Sequence, residues 1–220
     1  MGAVAVGAMI ELTLPAGSLQ VLCVGAHPDD IEIGCGGTLL TLAAAREVTA
    51  TAVVLTGAGD RHDEALKSTG RFLPGAAVDV RVVGLRDGRL PAHWDEVKDT
   101  LETAARDVRP DLVFAPRRDD AHQDHRLLAE LVPTVWRDAL VLGYEIPKWD
   151  GDLGTVTHYV PVSPELARRK AELLDDCFPS QIDRDWWDEE TFLSLMRLRG
   201  VECRSRYAEA FTVTKARLAF

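Results

Sequence analysis

The chain has 220 residues, 46% of them hydrophobic and 27% charged. That length corresponds to one domain with room for a small appendage, and the apolar fraction excludes a mostly disordered chain. Lys and Arg total 25 against 35 Asp and Glu, a net charge of −10, which repels phosphate backbones and anionic lipid and sets nucleic-acid and membrane-surface partners aside.

The four cysteines, Cys23, Cys35, Cys177 and Cys203, contain no C-x-x-C pair, so neither a disulfide framework nor a cysteine zinc site is expected. The opening Met1–Ile10 is apolar but has no basic start, and Glu11 follows it. A signal peptide and a membrane span are therefore not expected. The expectation is a cytoplasmic protein, one domain over 1–220, with 1–18 a loosely ordered extension.

In chain order, Val21 to Ala26 is an apolar run of strand length, as in a strand buried on both faces. Thr38 to Arg46 reads as a helix with Thr38 as N-cap. Thr49 to Leu55 is a β-branched second strand, Asp63 to Phe72 a helix, and Val78 to Val83 a third strand. Trp94 to Val108 is helical and stops before Pro110. Leu112 to Ala115 is a fourth buried strand, His125 to Leu140 a helix, and Ala139 to Tyr144 a short strand. Helices over Pro164–Asp176 and Glu189–Arg199 follow, with an edge strand from Ala210 to Thr214. Strand–helix alternation of this kind predicts a three-layer, Rossmann-like α/β domain, its sheet mostly parallel with helices on both faces, and a short C-terminal extension.

In such sheets ligands bind beyond the carboxyl ends of the strands. Directly after the first strand stands His27-Pro28-Asp29-Asp30-Ile31-Glu32, and after the fourth Asp119-Asp120-Ala121-His122-Gln123-Asp124-His125. His27, Asp30 and His125 could converge as two imidazoles and a carboxylate, a set that suits zinc with an open position, or Fe(II) or another divalent metal. Asp29 then projects beside the metal, where a general base belongs. His122 and His125 share one helix face, and Asp124 is a candidate to hold one of these rings in its tautomer. Gly34-Cys35-Gly36-Gly37 fails the G-x-G-x-x-G pattern because Leu39 stands where its last glycine would be. Those glycines are read as a loop passing close to the metal site.

His27-Pro28-Asp29-Asp30-Ile31-Glu32 with Gly34 and Gly36-Gly37-Thr38, and later His122-Gln123-Asp124-His125-Arg126, resemble the paired signatures of the PIG-L/LmbE-like zinc N-deacetylases. Leu85-Arg86-Asp87-Gly88 and Tyr207-Ala208-Glu209-Ala210-Phe211 extend the likeness more weakly. The resemblance implies removal of an acetyl group from an N-acetylated amino sugar. It makes His27, Asp30 and His125 the Zn2+ ligands, Asp29 the base, and His122, partnered by Asp124, the stabiliser of the oxyanion and a proton donor to the amine. It also implies substrate contacts from Arg61, Glu64 and Asp87. Asp120 stands where some relatives have Tyr, so no aromatic role is carried over.

The small-molecule partner is thus an N-acetylated sugar. Another amide, such as a thiol–sugar conjugate, and a non-catalytic metal- or sugar-binding protein stay open. Trp149 and Trp187 are each read as packing anchor or cleft wall. Surfaces after Pro133 are the faces available for a homo-oligomer.

Overall fold

A computed structural model describes residues 9–218. Seven strands form one sheet in the order β3-β2-β1-β4-β5-β7-β6. The strands are β1 (Leu19–Gly25), β2 (Val48–Thr56), β3 (Ala77–Leu85), β4 (Leu112–Pro116), β5 (Leu140–Tyr144), β6 (His158–Val162) and β7 (Tyr207–Val213). The first five are parallel, whereas β7 runs antiparallel to both β5 and β6. The helices are α1 (Asp30–Ala45), α2 (Asp60–Phe72), α3 (Trp94–Ala104), α4 (Gln123–Val135), α5 (Pro164–Cys177) and α6 (Glu189–Glu202).

The twofold period of a strand sorts β1 between two cores. Val21 and Cys23 pack with residues of α1, α2 and α5, while Leu22 and Val24 pack with residues of α3 and α4 on the other face. This is the expected three-layer α/β arrangement. The chain leaves β1 for β2 on one side, and β4 lies on the other, so the strand order reverses between β1 and β4. Their carboxyl ends open the crevice where doubly wound sheets bind ligands.

Several boundaries differ from the sequence reading. Helix α1 begins at Asp30 rather than Thr38, so Gly34, Gly36 and Gly37 lie inside a helix and not in a loop. Glycine is a poor helix former, but burial of every residue from Asp30 to Leu40 overrides that preference. The glycines admit close neighbours: a Cβ on Gly34 would stand 2.3 Å from the Tyr144 ring, and one on Gly36 would stand 2.7 Å from Phe72. Thr38 is no N-cap, and its buried hydroxyl has no hydrogen-bond partner among the described residues.

Helix α4 starts at Gln123 with His122 as its N-cap and ends at Val135, short of the expected Leu140, two residues after Pro133. Helix α3 ends at Ala104, although hydrogen-bonded turns continue to Val108. The predicted edge strand, β7, lies inside the sheet, because the unforeseen β6 adds outside it.

Of the 1–18 extension, residues 1–8 lie outside the described residues. Within the rest, Leu14 packs on the core and the Pro15 carbonyl accepts a hydrogen bond from Arg46. Among the described residues no helix is long and apolar enough to cross a membrane.

Candidate metal centre

The turn after β1 and the loop after β4 meet in the crevice. The Asp30 carboxylate Oδ2 accepts the backbone N–H groups of Ala26 and His27 at 2.9 and 2.8 Å, which folds the turn back on itself. The same oxygen lies 3.4 Å from His27 Nδ1 and 3.3 Å from His125 Nε2, and those two nitrogens are 3.2 Å apart. The three edges are nearly equal. Ligand atoms held about 2.0–2.1 Å from a tetrahedral ion sit about 3.3 Å from one another, so the triangle has the dimensions of one face of such a site.

The electrostatics agree with the geometry. Burial alone disfavours charge on His27, yet Asp30, Asp124 and Asp87 more than reverse this and raise its pKa well above 6.5. His125, likewise buried, is raised to about 9, with Asp30 and Asp120 as the cause. Burial opposes ionisation of Asp30, but His125 and His27 hold its carboxyl well below the usual range. Surroundings that favour two extra positive charges on these rings favour a divalent cation in their place. Two wider sets of donor atoms lie within 4.8 Å of one another: His27, His122 and His125, and His27, Asp87, His122 and Asp124. The residues present fit a metal.

The remaining atoms of the rings are oriented from outside. His27 Nε2 faces Asp124 Oδ2 at 3.2 Å and Asp87 Oδ1 at 3.1 Å. Asp124 is fully buried, and its carboxylate also accepts from Gly88 N at 2.8 Å and Leu90 N at 3.1 Å. Asp124 is therefore not the side-chain partner of His122, a correction to the sequence reading. Its position in the first turn of α4 aims the carboxylate at His27 and the turn before the 3-10 helix Leu90–His93. His122 instead receives the backbone N–H of Asp124 at Nδ1, 3.2 Å away. A neutral ring with Nδ1 accepting carries its proton on Nε2. Burial and the neighbouring His27 and His125 lower the His122 pKa and favour that neutral form.

His125 Nδ1 stands 3.0 Å from Asp120 Oδ2, which faces the side of the ring turned away from the triangle. The sequence reading gave Asp120 no role, although its place in the dense cluster after β4 is a signal for one.

Asp29 occupies the left-handed region at φ 104°, an uncommon and strained conformation for a residue with a side chain. Its carboxylate meets Arg61, whose Nη2 donates to Asp29 Oδ2 at 2.9 Å and to the Pro28 carbonyl. Burial pushes the Asp29 carboxyl up to about 6, the Arg61 guanidinium offsetting only part of that rise. Glu64, one turn along α2, accepts from Arg61 at 3.3 Å and from Ser180 N and Oγ at 2.9 and 2.7 Å. Glu64 is thus engaged by its neighbours rather than open to the crevice. Ser180 carries no local sequence signal.

Asp87, its side chain 77% exposed, lies at the mouth of the crevice. Trp187 is buried against Phe178 and Phe192 and is a packing anchor. Trp149 is exposed, edge-on to Trp186.

A family model described as PIG-L, GlcNAc-PI de-N-acetylase, matches residues 22–136. The uncharacterized deacetylase YaiS of Escherichia coli (strain K12) is 33% identical over 139 residues, which span 58% of this chain and 74% of YaiS. Among solved structures, N,N'-diacetylchitobiose deacetylase from Pyrococcus horikoshii superposes with a TM-score of 0.69 at 22% identity, covering 89% of this chain and 83% of that one. GalB, the 4-carboxy-2-hydroxymuconate hydratase of Pseudomonas putida KT2440, reaches 0.74 at 16% identity, covering 92% and 98%. At these identities the structural likenesses show the fold alone.

Proposed function

The chain belongs to the PIG-L family and is a deacetylase, and from that premise we propose that it hydrolyses the acetamide of an N-acetylglucosamine-type amino-sugar conjugate. The observation that carries this reading is the near-equilateral triangle of His27, Asp30 and His125 with the buried, raised-pKa Asp29 beside it. His27 Nδ1, Asp30 Oδ2 and His125 Nε2 would hold the metal, which we assign as zinc because two imidazoles and one carboxylate with an open position suit it. Bound there, zinc supplies Lewis acidity toward the amide carbonyl and brings the pKa of water toward about 7.

The side chains divide the remaining work. An acyl carbon gains a nucleophile only if that nucleophile loses a proton, and Asp29, ionised above about 6 and one position from the Asp30 ligand, accepts it. The same carboxyl, once protonated, returns the proton to the amine as it departs. His122, neutral with its proton on Nε2, donates to the carbonyl oxygen as charge develops there. Arg61 keeps Asp29 turned toward the substrate, and Glu64 with Ser180 fixes Arg61. Asp87, exposed at the mouth, accepts from a sugar hydroxyl. The four cysteines are free thiols, and we place the reaction in the reducing cytoplasm.

The test is release of free amine from a panel of N-acetylglucosaminides by zinc-loaded protein, run beside Asp29→Asn. Release by the wild type and not by the variant is expected. No release from any sugar, with zinc bound, would move the assignment to another amide, such as that of a thiol–sugar conjugate.

A further inference from the structure

Further along α1 from the crevice, two charged side chains enter the helix. In a regular α-helix the N–H of Gly37 serves the carbonyl of Ile33, and that of Thr38 serves the carbonyl of Gly34. In α1 both N–H groups donate to Glu209 of β7, Gly37 to Oε1 at 2.8 Å and Thr38 to Oε2 at 2.6 Å. Lys170 of α5 donates to Glu209 Oε1 and to the Ile33 carbonyl, each at 2.6 Å. Both side chains are 4% exposed. Replacing a buried ion pair by apolar groups is often neutral or stabilising, so stability alone is a weak reason for its presence.

The contacts lead back to the crevice. Ile33, whose carbonyl Lys170 holds, donates its N–H to the carbonyl of Asp29 at 2.9 Å. The opening turns of α1 are gripped from two sides: by Tyr144, its ring against Gly34 and its hydroxyl on the Val24 carbonyl at 2.8 Å, and by Lys170 at Ile33 with Glu209 at Gly37 and Thr38. They follow directly on the strained Asp29 and start with Asp30. A conformation disfavoured on its own persists only where surrounding contacts over-determine it.

We propose that Glu209 and Lys170 are positioning residues for the metal centre: by entering the hydrogen-bond ladder of α1 at Ile33, Gly37 and Thr38, they fix the turn that presents Asp29 and Asp30. This rests on the reading of His27, Asp30 and His125 as metal ligands.

The test uses cobalt(II) as the probe, with affinity measured by competition against a chelator and geometry read from the visible absorption of the bound ion. The variants are Glu209→Gln and Gly37→Ala. A Cβ at position 37 would lie 3.0 Å from Glu209 Oε1 and push the carboxylate away, while keeping both charges and giving the helix a better former. Leu101→Ala, in the core on the opposite face of the sheet, is the control for lost stability.

Cobalt affinity at least tenfold weaker with an altered spectrum is expected in both α1-ladder variants, with neither change in the control. Wild-type affinity and spectrum in folded Glu209→Gln and Gly37→Ala would overturn the proposal. If Glu209→Gln does not fold, Gly37→Ala alone decides. Failure of the wild type itself to bind cobalt would overturn the functional reading and the positioning claim with it, whereas binding by the wild type with unaltered variants overturns the positioning claim alone.

Discussion

Asp124→Asn is the most informative single substitution, because it changes one charge and no volume at a residue that touches His27 but none of the proposed ligand atoms. The carboxylate faces three donors: Leu90 N at Oδ1, and Gly88 N and His27 Nε2 at Oδ2. An amide has one acceptor oxygen and one NH2. If the oxygen stays with Leu90, the NH2 meets Gly88 N–H and forces His27 to accept at Nε2. The imidazole proton then moves to Nδ1, the atom that faces Asp30 and His125. If the oxygen stays with Gly88 and His27, the NH2 meets Leu90 N–H instead. Either placement leaves one backbone N–H unpaired, costing about 1–3 kcal/mol. At about 2–4 °C per kcal/mol for a chain of this size, Tm of the metal-free protein should fall by about 2–12 °C. Loss of the carboxylate behind His27 should weaken zinc binding about 10–100-fold. Calorimetry with chelator present reads the first effect, and chelator competition reads the second. Zinc affinity within twofold of wild type would refute the role given to Asp124.

Asp29→Asn should retain zinc, measured by elemental analysis, while kcat for amine release falls by about 10²–10⁴; near-normal turnover would remove Asp29 as the base. Glu32 is buried and accepts from Ser68 and Thr69 at 2.7 and 2.8 Å, and burial raises its pKa from 4.5 to about 7. The folded state therefore binds this proton more tightly than the unfolded chain, so the stabilisation is fully present below about pH 4.5 and lost as pH rises through about 7. Glu32→Gln lacks that dependence, and its Tm relative to wild type, taken with chelator present, should improve between pH 5 and pH 8; a constant difference would contradict the assignment. Trp187→Ala removes a buried ring and its Nε1 donation to Asp175 at 2.9 Å, and should cost about 3–5 kcal/mol in a denaturant titration. KM for the sugar should not change in the folded variant, and a raised KM would restore Trp187 as a cleft wall.

What the sequence made legible was local. The run Val21–Val24 announced a strand buried on both faces, and its alternate residues do serve the two cores. Each histidine–aspartate cluster lies within one turn at a strand end, so its presence could be read from spacing alone. The join between the clusters could not. Whether Asp124 meets His122 or His27 depends on the register of β1 on β4, with Val21 opposite Leu112, which brings together loops far apart in sequence. The partners Ser180 and Glu64 are separated in the same way. Three glycines hid the true start of α1, because packing against Tyr144, Phe72 and Glu209 is what makes glycine necessary there. Strand β6 was hidden by its Pro161, which an edge position tolerates.

The fold leaves the reaction open, as its likeness to a hydratase illustrates; the chemistry lies in how one turn treats two adjacent aspartates. Asp30 accepts two backbone N–H groups and faces two imidazoles, and those contacts hold it ionised. At Asp29, burial together with the charge of Asp30 outweighs Arg61 and His27, and its pKa is raised. A right-handed Asp29 would turn its carboxylate elsewhere, so the left-handed φ is what separates the two environments. Such a conformation costs of the order of 1–3 kcal/mol. Glycine would relieve that cost but remove the carboxylate, and a conservative exchange of backbone comfort for side chain is unavailable at this position. The strain, the Arg61 contact and the Lys170–Ile33–Asp29 chain of hydrogen bonds thus describe one arrangement: the proposed ligand and the proposed base, made from the same residue type one position apart.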